Sequence, residues 1–78
     1  MTRLAFVAAM EDILGVRRGK LQESDSRDTV EGWSSEVDAQ IVALIASELG
    51  IEADAEILEA ETVGELLSRL QVRHAFAG

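Results

Sequence analysis

Few of the 78 residues in this chain could do chemistry. There is no cysteine and a single histidine, His74, so a thiolate nucleophile, a disulfide framework and a thiolate metal site are all excluded. A nucleophilic serine needs a base within hydrogen-bond reach, and His74, in a C-terminal tail, is a poor candidate. No phosphate cradle of the G-x-x-x-x-G-K type occurs. The carboxylates fall at surface-like positions where shifted pKa values are not expected. Alone they would make at most a loose Ca²⁺ or Mg²⁺ site, without the loop pattern of a dedicated one. What stands out is a serine pair in Gly32-Trp33-Ser34-Ser35-Glu36-Val37-Asp38.

That stretch reads as a loop turning into an amphipathic helix. Ser35 is expected to cap it, because a serine oxygen accepts from the free N–H groups of a first turn. Asp38, three residues on, is expected to reach back in a capping-box arrangement. A helix N-terminus also tolerates phosphate, through its unpaired N–H groups and positive dipole end. A phosphodiester on Ser35 would sit in that field, partly opposed by Glu36 and Asp38. Residue chemistry leaves two roles open for Ser35: a plain cap, or a cap that carries a group.

The elements that must position this pair are helical. Thr2 to about Gly15 reads as a first helix, capped by Thr2 and stopped by Gly15. Its apolar stripe is Phe6, Met10, Ile13 and Leu14, widened by Leu4 and Val7, with Arg3, Glu11 and Asp12 off it. Val16 to Gly32 is a long polar connection, with Leu21, Val30 and Trp33 spaced to pin it to a core. The second helix is expected over Ser35–Leu49, burying Val37, Ile41, Leu44 and Ile45 and closed by Gly50. Its other face carries Glu36, Ala39, Gln40, Ala43, Ala46 and Ser47. That surface is small and lightly charged, as close approach by another protein or good helix propensity would each explain. Ile51 to Glu61 holds one short helical turn around Ile57 and Leu58. Thr62-Val63-Gly64-Glu65 has the form of a capping box and opens a last helix, with Leu66, Leu67 and Leu70 inward, ending near Val72. From about residue 73 the chain reads as tail. The expected fold is all-α: one domain over 1–78, with three longer helices, one short one, and a long loop between the first two.

Charge speaks to partners. The net charge is −8, and Asp28 to Ser68 holds eleven acids and no Lys or Arg. Nucleic acid is an unsuitable partner, since its phosphates need Lys and Arg. Basic protein surfaces suit the acidic block, which would also aid solubility. No apolar run approaches the roughly 18 residues that span a bilayer, and no signal-peptide pattern is present. The expectation is a cytoplasmic protein that is not bound to membranes.

Over about residues 3 to 71 the chain resembles the acyl and peptidyl carrier proteins, which bind phosphopantetheine. The resemblance is carried by Gly32-Trp33, Ser35, Ile41-Val42-Ala43-Leu44, Glu48-Leu49-Gly50-Ile51 and Thr62-Val63-Gly64-Glu65-Leu66-Leu67, with the Ser35-to-Gly50 distance fixing the register. The family's Asp-Ser-Leu is Ser34-Ser35-Glu36 here. The resemblance implies a small four-helix bundle of acyl-carrier-protein type and a covalent 4'-phosphopantetheine, from coenzyme A, on Ser35. It implies no catalysis and no metal of the chain's own: the carrier holds an acyl or aminoacyl group as a thioester. Implied partners are a phosphopantetheinyl transferase and the loading, condensing or transferring enzymes, docking through basic patches. Trp33, Ser34, Glu36, Ala39, Gln40 and Ala43 are the expected partner-binding residues. The alternative is a carrier fold without attachment, acting as an interaction or scaffold module.

Overall fold

The computed structural model describes residues 1–77. Four α-helices form, α1 over Arg3–Leu14, α2 over Ser35–Leu44, α3 over Ala55–Leu58 and α4 over Val63–Val72. Among the described residues no strand forms; an isolated bridge pairs Ser26 with Thr62. The tail expected from residue 73 ends at Gly78, which lies outside the described residues.

α1 begins where Thr2 Oγ1 accepts from Ala5 N at 3.1 Å, and Gly15 ends it in the left-handed region at φ 71°. It buries Phe6, Met10 and Leu14. Leu4 does not join them: it is 81% exposed. Two residues before Phe6 on a helix is about 160° around the axis, so Leu4 faces away from the core. Glu11, expected off the stripe, is instead buried at 2% exposure. The long connection folds over it, and its Oε2 accepts from Gly19 N at 2.8 Å and Leu21 N at 3.1 Å. A buried carboxylate holding two backbone donors gives this polar loop its fixed path.

The same loop then meets α4. Glu23 and Asp25 carbonyls accept from Gly64 N and Val63 N, each at 2.9 Å, while Thr62 Oγ1 accepts from Glu65 N at 3.1 Å. Three of the four orphan donors at the start of α4 are thereby satisfied. The Glu65 carboxylate reaches back to Glu61 N at 2.9 Å, one residue earlier than a standard capping box. Gly64 permits the close approach, because a Cβ there would meet the Glu23 Cβ at 3.1 Å and its carbonyl at 3.2 Å.

α2 buries Val37 and Ile41, then widens over Ile45–Leu49 into a π-helical turn that ends at Gly50, φ 68°. Leu44, expected inside, is half-buried. Val30 is buried, and Leu21 and Trp33 pack half-buried on the core, as their spacing predicts. α3 starts at Asp54, whose Oδ1 accepts from Ile57 N at 3.2 Å, and buries Ile57 while Leu58 stays exposed. Val63, Leu66, Leu67 and Leu70 complete the core from α4.

The segment after α4 is more than a tail. His74 takes the left-handed conformation at φ 57° and turns the chain back. Phe76 then sets its ring 5.5 Å from that of Phe6, and Ala77 N donates to Met1 O at 2.9 Å. This return covers buried Phe6 with a second aromatic ring.

Candidate functional site

Ser34, not Ser35, caps α2. Ser34 keeps extended backbone, φ −108° and ψ 177°, and its Oγ accepts from Val37 N at 3.4 Å. Ser35 is the first residue of the helix, exposed, with its hydroxyl outside the cap. An N-cap residue keeps non-helical backbone. Ser34 does so while Ser35 already belongs to the helix, so it is the Ser34 side chain that meets the free N–H of Val37.

Asp38 also departs from expectation. It makes no capping box but gathers the segment before α2. Its Oδ1 accepts from Trp33 Nε1 at 2.8 Å and from an Arg27 Nη at 2.7 Å, and its Oδ2 from Arg27 Nε at 3.3 Å. The Arg27 guanidinium lies 5.4 Å from the centroid of the Trp33 ring, within cation–π range. Of the two acids expected to oppose a phosphate on Ser35, Asp38 is thus neutralised by an arginine. Glu36 is exposed beside Ser35 in the first turn. Sequence patterning misses Arg27 because it lies eleven residues before Asp38 in an irregular loop.

Glu36, Ala39, Gln40, Ala43, Ala46 and Ser47 are all exposed, so α2 presents one small-residue surface continuous with the serine pair. Trp33 is half-buried at its edge. Between α2 and α3 runs a narrow cleft of about 20 Å³, lined by Trp33, Asp38, Ile41, Ile45, Ile57 and Leu66 among others. That volume admits about one water, and Ser35 does not line it. A wider groove of about 410 Å³, lined by Leu4, Val7, Leu21, Val63 and Leu67, takes no residue from α2.

His74 lies in the turn after α4. Among the described residues no group of three His, Cys, Asp or Glu side chains could hold a metal ion, and no helix is long and apolar enough to cross a membrane. A second cluster of charges lies at the start of α3. Arg73 bridges Asp54 at 2.7 Å and Glu56 at 3.3 Å. Its guanidinium, helped by Ile57 N–H, holds the Asp54 carboxyl below its ordinary value of 3.8, and Arg73 itself is raised in turn. Arg69 adds a bond to the Glu56 carbonyl. Together these tie α3 to α4.

Set against family models, curated proteins and solved structures, the chain matches none. What the site can do follows from its residues and their geometry.

Proposed function

We propose that this chain acts as an acyl or aminoacyl carrier protein of acyl-carrier-protein type, modified by phosphopantetheine on Ser35 and acting in the cytoplasm. One observation carries the reading: an exposed serine hydroxyl opens an amphipathic helix while its neighbour, Ser34, performs the capping. The pattern shared with carrier proteins supports it. So does capping chemistry at residue 34, where that family has Asp: Ser and Asp are both strong N-caps, so the exchange keeps the helix start and drops a charge.

In the proposed modification Ser35 Oγ attacks the phosphorus of coenzyme A that bears the pantetheine. An O–P bond forms, the pyrophosphate P–O bond breaks, and the nucleotide leaves with the electron pair. The serine proton passes to a base of the transferase. The new phosphodiester lies in the N-terminal field of α2, with Asp38 already paired to Arg27. The arm's thiol, with an ordinary pKa of about 8.5, then carries the substrate as a thioester. The chain catalyses nothing; partner enzymes with basic patches meet the α2 surface and its acidic surroundings. Brief, salt-sensitive contacts suit a protein that visits several partners in turn.

The test is intact mass after incubation with coenzyme A and a promiscuous phosphopantetheinyl transferase. A gain of one phosphopantetheine group, lost in Ser35→Ala and kept in Ser34→Ala, is expected. An unchanged mass with several transferases sinks the reading. A second reading rests on Glu36, whose exposed charge stands beside Ser35: a carrier fold without attachment that serves as an interaction or scaffold module. Restored modification in Ser34→Asp/Glu36→Leu, where the natural chain takes none, would favour it.

A further inference from the structure

The junction before Ser35 is lightly held by its own residues. The Ser34 cap is long at 3.4 Å, Gly32 has no side chain, and Ser34, Ser35 and Glu36 are all exposed. Trp33 is the junction residue that reaches the core. Asp38 grips it by the indole N–H at 2.8 Å, and Asp38 is itself fixed by the two-pronged Arg27 contact at 2.7 and 3.3 Å. Arg27 lies over the indole face, and Trp33 N donates to Val30 O at 3.1 Å. The indole is therefore held at its edge and its face, two residues before the serine.

We propose that Asp38 is a positioning residue for the reaction at Ser35, acting through Trp33. The inference rests on the carrier reading above. A transferase must bring Ser35 Oγ to about 3–3.5 Å from the reacting phosphorus and in line with the leaving group. A junction already ordered by the Trp33–Asp38 bond meets that geometry without being frozen on the enzyme. Release of the indole lets the Gly32–Ser35 turn sample orientations in which the hydroxyl is misdirected. The helix itself is secured elsewhere, by buried Val37, Ile41 and Ile45, so the loss falls on transfer rather than on folding.

The experiment measures kcat/KM for phosphopantetheine transfer from coenzyme A, by intact mass. The set is the natural chain, Asp38→Ala, Trp33→Phe, their double variant, Asp38→Asn, and Arg18→Ala as a control at the unrelated Arg18–Asp12 pair. Asp38→Ala and Trp33→Phe are each expected to lose about tenfold while keeping helical circular dichroism and cooperative melting. The double variant is expected to be no slower than either single one, because both remove the same bond. Asp38→Asn, which keeps an oxygen for the indole N–H, recovers part of the rate and serves if Asp38→Ala fails to fold. Arg18→Ala is unchanged. Equal rates for Asp38→Ala and the natural chain overturn the inference, as do losses that multiply in the double variant. A natural chain that is never modified overturns the carrier reading, and this inference falls with it.

Discussion

Ser34 and Ser35 are adjacent, exposed and chemically identical, yet the fold gives them different work. On the proposed carrier reading, stability and modification should separate cleanly between two single substitutions. Ser34→Ala removes the acceptor for Val37 N; an N-cap loss costs about 0.5–2 kcal/mol, and the 3.4 Å bond places it at the lower end. Ser35→Ala changes a helical surface residue and should stay within about 0.5 kcal/mol of the natural chain. Urea unfolding checks both. The expected pattern is a weakened but modifiable Ser34→Ala protein and a stable but unmodifiable Ser35→Ala protein. Reversal of the stability order would return the cap to Ser35. Which serine capped was not legible in the sequence, because Ser-x-x-Asp from residue 35 imitates a capping box and the two side chains have the same propensity. What decides between them is the backbone, extended at Ser34 and helical from Ser35.

At the scale of elements, the long connection and α3 are each held by a carboxylate. Glu11 binds two backbone N–H groups of the loop; without it both lose their partner, at about 2–4 kcal/mol for Glu11→Ala. Glu11→Gln keeps an oxygen in the same place and should cost less than half as much, both read from chemical denaturation. Equal costs would mean that charge, rather than the acceptor, holds the loop. Asp54 works through pH. Its folded pKa lies below the ordinary 3.8, so its pairing with Arg73 favours the folded state fully above that value. The contribution fades as pH falls through 3.8 and then through the lower folded value. Asp54→Asn keeps an N-cap oxygen for Ile57 N but no charge. The natural chain should therefore exceed it in stability at neutral pH, with the gap closing below about pH 4; a gap that persists in acid would assign it to the cap. Helix bounds were legible because Gly15, Gly50 and Thr62 mark them with backbone chemistry. Glu11 was not, since its burial comes from a loop folding over it rather than from its place on α1. Nor was the return of the C-terminal segment, whose left-handed turn is made at His74 rather than at a glycine.

For the molecule as a whole, charge enters twice, with opposite signs. The folded chain measures 29 × 24 × 20 Å, and Asp28 to Ser68 brings eleven acids with no base of its own. At about 0.1 M salt the screening length is about 10 Å, and at about 1 M it is about 3 Å. Many of these acids therefore repel one another in dilute buffer. The ion pairs opposing this are exposed, with side chains 30–74% accessible, and exposed pairs contribute only about 0–1 kcal/mol each. Repulsion should win. The thermal midpoint is thus expected to rise as NaCl goes from low concentration to about 0.5 M. A falling midpoint would show instead that the Arg73 and Arg27 pairs dominate. On the proposed carrier reading, docking of a basic partner on α2 should weaken over the same range, since the same ions screen its attraction. Measured together by thermal melts and a binding titration, the two trends separate what the acidic surface costs the fold from what it gives to recognition. A partner whose affinity ignored salt would be using the apolar part of the α2 face, Ala39, Ala43 and the Trp33 edge, rather than the acids.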